Sequence, residues 1–302
     1  MALLSHYTTR DGFEGIAKTK TFWATHFLSL NDTSEFFYAW RQLMEAAFEI
    51  LIQRMPDEVK QKKYDISSFG ENATNQTKAL ANSTDGYGHL YVASFAQGKT
   101  EDHNKRGIRT LWELYNGHQG YCLQFEQDDV AKMLKMDQMT SYYDGLEMIE
   151  VKYGIDRNER IFRELSFQLS EQLLLQMLRA GNDIRVRPQL ERMWPDSELY
   201  RRMMPYCASH KDPCFEDERE LRIFAFPSAS AQIRPSMPII WAPKQIRNTS
   251  AGKKYIVLGE TYEPRIVPRR VIIGTKADRD VDSILANYSP IPEVAFADMP
   301  VA

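Results

Sequence analysis

Strand-like segments lie at both ends of this chain. "LLSHYT" opens the sequence, and "ELRIFAF", "KKYIVLG" and "RRVIIGT" fall in its last third. Each is a short apolar run bounded by polar or turn residues, the pattern of a buried strand. Any sheet that joins them must pair opposite ends of the chain, with everything between carried as connections. Those connections hold further strands in "TFWAT", "HLYVASFA", "GYCLQF" and "MIEVKYG". They also hold long helical patterns. In "SEFFYAWRQLMEAAFEILIQRM", Phe36, Trp40, Leu43, Ala47 and Ile50 recur at helical spacing, and Pro56 ends the run. A second amphipathic helix is predicted over "ERIFRELSFQLSEQLLLQMLRAG", and a third from near Pro188 to Tyr206. Thr9 is placed to cap a short helix carrying Phe13 and Ile16, "RTLWELY" reads as a short helix stopped by Gly117, and "ADRDVDSILANY" as a terminal one. The expectation is one α+β domain over residues 1–302, with a mainly helical insertion at about 157–206.

Composition narrows the function. With 43% hydrophobic and 12% aromatic residues in 302, the chain supports a real core. A net charge of −3 gives no global case for duplex binding, which usually shows as a basic domain. Three cysteines are too few for a disulfide framework. No window approaches the roughly 18 apolar residues of a membrane span, and the N-terminal residues lack the pattern of a signal peptide. These features lead to the expectation of a cytoplasmic protein without membrane partners.

Two constellations could carry chemistry. Read as a strand, "ERELRI" puts Glu218, Glu220 and Arg222 on one face and Leu221 and Ile223 on the other. Two carboxylates two residues apart repel, which tends to raise one pKa. The pair is either a solvated strand face balanced by Arg222 or an acid pair that positions a substrate hydroxyl. His6 is the second candidate, in an apolar strand beside Tyr7 and Thr8; it is either a satisfied core histidine or part of a site.

"SHYTT" followed by "GFEGIAKTKTFWAT" resembles the opening of the ADP-ribosyltransferase superfamily, where a strand ending in histidine or arginine, a short helix and a second strand begin the NAD cleft. Across the chain, the order of motifs resembles the bacterial family called domain of unknown function 2971. The residues that carry this resemblance are His6-Tyr7-Thr8, Leu30-Asn31-Asp32 with Glu35-Phe36, Ser94-Phe95, and Leu111-Trp112 with Tyr115. It continues through Gly120, Cys122-Leu123 and Phe125, then Val151 with Tyr153, Phe215 with Glu218, Glu220 and Arg222, and Val271-Ile272-Ile273-Gly274.

The resemblance implies a mixed, split-sheet ADP-ribosyltransferase-like core with helical insertions, and NAD as a substrate. Glu220 would bond the ribose 2-hydroxyl as oxocarbenium character develops, and Glu218 would orient or deprotonate the acceptor. His6 would bond the adenosine-side ribose with Tyr7 and Thr8 beside it. Ser94 matches a serine of a central strand, and Asn31 and Asp32 would border the cleft. Helix capping explains Asn31, Asp32 and Glu35 equally well. Trp112 or Tyr115 would supply a shelf for nicotinamide, or would form a core aromatic pair. No glycine-rich phosphate loop follows "HYT", so the pyrophosphate contacts stay unassigned. The implied role is a toxin or anti-phage effector, with a protein, RNA or DNA acceptor and an antitoxin or regulatory partner.

Two other readings compete. Cys207, His210 and Cys214 in "CASHKDPC" supply three zinc-type ligands without an evident fourth, and Glu218, Glu220 and Asp32 would suit a metal-dependent nuclease. That nuclease would lack the usual lysine two positions after an acid, because Arg222 stands there. A non-enzymatic, nucleic-acid-binding or regulatory module is the other. Arg185, Arg187, Arg192, Arg201 and Arg202 lie among Trp194 and Tyr200, with Arg265, Arg269 and Arg270 further on. Such a run is also what the solvated face of a helix looks like.

Overall fold

A computed structural model describes residues 2–30, 33–55, 71, 73–75, 77–78, 86, 89–98, 100–114, 116–179, 198–228 and 242–297. In chain order the first elements are β1 (Leu3–Thr8), α1 (Arg10–Thr19), β2 (Phe22–His26), α2 (Thr33–Gln53), β3 (Tyr91–Gln97), α3 (Glu101–Arg106) and α4 (Arg109–Leu114). The middle of the chain carries β4 (Tyr121–Glu126), α5 (Gln127–Thr140), β5 (Ser141–Glu150), β6 (Lys152–Tyr153), α6 (Arg160–Arg179) and α7 (Glu198–Ala208). There follow β7 (His210–Lys211), β8 (Glu220–Pro227), β9 (Ala242–Pro243), β10 (Arg247–Asn248), β11 (Lys254–Leu258), β12 (Arg270–Ile273), α8 (Asp282–Leu285) and β13 (Glu293–Phe296). The fold is mixed α+β with a mixed sheet. None of the described helices is long and apolar enough to cross a membrane.

The chain divides into two compact units. One comprises Met1–His26, Tyr91–Val151 and Cys214–Ala302; the other comprises Phe27–Leu90 and Lys152–Pro213. The segment expected as a helical insertion, about 157–206, belongs to the second unit as far as it is described; its part from 180 to 197 lies outside the described residues.

The first unit is built on the sheet that the two chain ends form together. Its strands run β10-β11-β2-β3-β1-β4-β12-β13, and β8 pairs with β3 and with β5. β3 organises this arrangement. A strand has two edges, and β8 occupies one of them from Tyr91 to Ala96. The other edge is divided: β2 pairs with it at Tyr91 and Val92, and β1 at Ala96 and Gln97. The sheet therefore forks at Ala93–Phe95. His6 fills the fork, its Nδ1–H donating to the Ser94 carbonyl oxygen at 3.0 Å where a neighbouring strand would otherwise donate. Its ring packs against Phe22 of β2 and Phe95 of β3, at centroid distances of 6.0 and 5.4 Å.

Side-chain alternation gives this sheet two unlike faces. Leu4, Phe95, Leu123, Phe125, Leu221, Ile223 and Val271 point to one face and join Phe13, Ile16 and Val130 in the main core. The other face carries Tyr7, Ala96, Cys122 and Ile272, which pack against Ile108, Leu111 and Trp112 at α4 in a smaller cluster. Tyr7 anchors that cover: its hydroxyl accepts the Ile108 N–H at 2.6 Å, and its ring meets Trp112 edge-on at 5.1 Å. Gly107 allows the approach, because at φ +82° a Cβ there would stand 2.5 Å from Trp112 Nε1.

In the second unit α2 contacts α6 and α7, and Phe36, Trp40, Leu43 and Ala47 of α2, Phe162 and Leu169 of α6 and Met203 of α7 are buried. Within it Lys211 is buried and paired with Glu35 at 2.9 Å, and His210 stacks on Tyr206 at 4.1 Å.

The fork sets a pH dependence. Burial holds His6 below its ordinary pKa of 6.5, only partly offset by the Ser94 bond, and burial lowers His210 in the same direction. The unfolded chain then binds protons that the folded chain does not, so stability is full above pH 6.5 and falls as pH drops below it. The expected slope is at most about 1.4 kcal/mol per pH unit for each such histidine. Urea midpoints measured from pH 7.5 to 5.5 should fall, and His6→Gln should flatten the decline. An unchanged midpoint would contradict this role for the fork.

Candidate active site

The ERE stretch does not fold as an uninterrupted strand. Glu218 ends a 3-10 segment, Pro213–Glu218, and Arg219 takes a left-handed φ of +50° before β8 begins at Glu220. That departure breaks the alternation expected between Glu218 and Glu220. Both side chains nevertheless reach one place, because the turn brings Glu218 over the face that Glu220 presents. They line a small cavity with Ser5, Tyr7 and Ser94, closed by Leu111. Neither glutamate is on a solvated face: Glu218 is 9% exposed and Glu220 7%.

The pairing register explains the convergence. Glu220 stands opposite Ala96 of β3, and Ala96 opposite Ser5 of β1. Ser5 pairs with Gln124 of β4, and Gln124 with Arg270 of β12. A row of mainly polar side chains thus crosses the sheet on the α4 side. Arg222, two residues along β8, stands opposite Ser94 in the next row. Its guanidinium grips Glu220 in a two-point contact, Nε to Oε1 and Nη2 to Oε2, both at 2.8 Å. Both partners are buried. Such a fork-to-fork bond fixes the carboxylate plane.

His6 and Thr8 alternate with Ser5 and Tyr7, so they point to the opposite face of the sheet. Of the "HYT" residues, only Tyr7 joins the two glutamates. His6 is instead tied to the backbone of Ser94, and Thr8 stands near Gly12 of α1. Trp112 is fully buried, its Nε1–H donating to the Arg106 carbonyl at 2.8 Å, so the core reading of this residue holds and no face is open for stacking. Tyr115, Asn31 and Asp32 lie outside the described residues. Glu35 pairs with Lys211 in the second unit, which gives it more than a capping role.

An exposed aromatic on the glutamate side was missed in the sequence. Thr25 of β2 stands opposite Val92 of β3, which shares a face with Ser94 and Ala96; Trp23 alternates with Thr25 onto that face. Trp23 is 51% exposed and stacked on Tyr255 at 4.2 Å. The signal was available: in "TFWAT", strand alternation that buries Phe22 and Ala24 turns Trp23 outward.

The competing constellations fare differently. Cys207 is fully buried, with burial raising its thiol pKa, and His210 Nδ1 is engaged with the Tyr206 carbonyl at 2.8 Å. Among the described residues no group of three or more His, Cys, Asp or Glu is placed to hold a metal ion. Of the basic residues, Arg185, Arg187 and Arg192, with Trp194, lie outside the described residues. Tyr200 is buried, and Arg202, Arg265, Arg269 and Arg270 bond to neighbouring carboxylates. Cys122, beside Tyr7, has its pKa pushed up to about 12 by burial, which makes it an inert thiol.

No family model, curated protein or solved structure matches the chain.

The buried pair gives a direct test. Arg222→Met removes the guanidinium that grips the buried Glu220 and should cost about 3–5 kcal/mol. Glu220→Gln combined with Arg222→Met should cost less than the sum of the two single changes, measured by urea unfolding in a double-mutant cycle. Strict additivity would mean that the contact contributes nothing.

Proposed function

We propose that the first unit cleaves the nicotinamide–ribose bond of NAD and transfers ADP-ribose to an acceptor. The observation that carries this reading is the convergence of two buried glutamates from the ERE stretch on one cavity with Tyr7, Ser94 and Ser5. The motif order similar to the domain of unknown function 2971 family supports it, as does the division of β3's edge between β1 and β2, in keeping with a split sheet.

In this reading Glu220 accepts a hydrogen bond from the ribose 2-hydroxyl. The bond strengthens as the C–N bond breaks and positive charge spreads over the ring, so it stabilises the transition state more than the ground state. Arg222 holds Glu220 in place throughout. Glu218 takes the proton from the acceptor as its oxygen or nitrogen bonds to the ribose carbon, and nicotinamide leaves with the electrons of the broken bond. His6 acts as a positioning residue for Ser94 rather than as a ligand to the substrate. Trp23, with Tyr255 behind it, offers a planar surface on the same side of the sheet for a base or pyridine ring.

The cavity between the glutamates is about 20 Å³, room for roughly one water. NAD binding therefore requires the cover to move from the sheet, both α4, which supplies Leu111, and α3, whose His103 Nδ1 accepts from Arg219 Nη1 at 2.9 Å; the small space suits a water that would serve as acceptor when no other is present.

The test is nicotinamide release from NAD by the purified chain, with and without cell lysate as a source of acceptor. Glu220→Gln should lower the rate by on the order of a hundredfold or more, while thermal melting shows the variant folded. No release by the wild type, together with no rise in its melting temperature on adding NAD, would overturn the assignment.

A further inference from the structure

The second unit holds a groove of a different character, walled by α2 and α6. Its volume is about 680 Å³, within the range of small-molecule sites. Ala46 and Ile50 of α2 and Phe162 and Phe167 of α6 make it mainly apolar. Phe167 is 50% exposed.

Two polar features lining this groove are unexplained by the fold. Ser166 is 1% exposed, lines the groove, and its hydroxyl has no hydrogen-bond partner among the described residues. A buried hydroxyl without a partner is costly, and a helical serine would ordinarily bond back to the preceding turn. Arg163, one helical turn before it on the same side of α6, is exposed. The other charged residues lining the groove are matched: Arg157 with Glu49 at 3.3 Å, and Arg160 with Glu164 at 2.6 Å. Arg163 has no ion-pair partner among the described residues.

We propose that this groove binds a single-chain acyl carboxylate. The carboxylate is held by Arg163 and by the Ser166 hydroxyl, and the chain lies along Ile50, Phe162 and Phe167. Residues three apart on a helix are neighbours, so one anion reaches both groups. The apolar walls explain why the ligand carries a chain, and the unmatched guanidinium explains why its head is negative. The site lies wholly within the second unit and is independent of the NAD reading.

The experiment is calorimetric titration of the full chain with octanoate, decanoate and dodecanoate below their aggregation limits. Kd should fall about fourfold for each added methylene. Dodecyltrimethylammonium, with the same chain and the opposite charge, should bind at least tenfold more weakly than dodecanoate. Arg163→Glu is a surface change expected to fold normally by circular dichroism, and it should weaken dodecanoate at least tenfold. Ser166→Ala should weaken it by about two- to tenfold. Absence of dodecanoate binding, equal binding of the cationic chain, or an unchanged Kd in Arg163→Glu would each overturn the proposal.

Discussion

The contact between Arg222 and Glu220 sits where the rest of the first unit has to agree with it. β8 is buried along its whole length between β3 and β5, so a charge on it is largely cut off from solvent. An isolated buried carboxylate or guanidinium costs several kcal/mol, and only a well-formed pair with further hydrogen bonds offsets that cost. Alternation puts Glu220 and Arg222 on one side of β8 in any register, and the need to keep both charges off the apolar core excludes one-residue slips of β8 on β3. A slip of one residue would put both charges into the apolar core beside Leu4 and Phe125, and would bring Leu221 and Ile223 to the polar side. The same register places Ser5 and Ser94 near the carboxylate, so the requirement that makes the strand foldable also assembles the candidate site.

His6 holds the other half of the arrangement. The forked edge of β3 leaves backbone that neither β1 nor β2 covers, and an imidazole between Phe22 and Phe95 supplies the donor to the Ser94 carbonyl. The histidine and the glutamates therefore act from opposite faces of one sheet and meet only through the backbone of β3. This is a different relation from a cluster of side chains around one ligand, and it explains why a residue adjacent to the site in sequence does not enter it.

Much of the scaffold was legible in the sequence, because strands β3, β4, β8, β11 and β12 and helices α2 and α6 have strong periodic patterns. The elements that escaped are those whose signals are weak or conditional. Helix α3 lies in the polar stretch "TEDHNKR", with Thr100 as its cap. Helix α5 has only a modest apolar stripe, Val130, Met133 and Leu134. Strand β13, "EVAF", gains its place by pairing with β12, which no local pattern announces. The expected terminal helix shrinks to Asp282–Leu285. At the site, the residues were legible and their geometry was not. The left-handed backbone at Arg219 cannot be read from "ERE", so Glu218 was placed on a strand it does not join. Likewise, alternation within "SHYT" separates His6 from Tyr7, but which face faces the glutamates depends on pairing with distant strands.

The central claim is that NAD is taken up on the Glu220 face of the sheet beneath α3 and α4. Hydrogen–deuterium exchange of the full chain with and without saturating NAD tests it most directly. The account predicts faster exchange across residues 101–114, as the cover leaves the sheet, and slower exchange across 218–222, where the ligand is held. Unchanged exchange in both segments, or changes confined to the second unit, would contradict it.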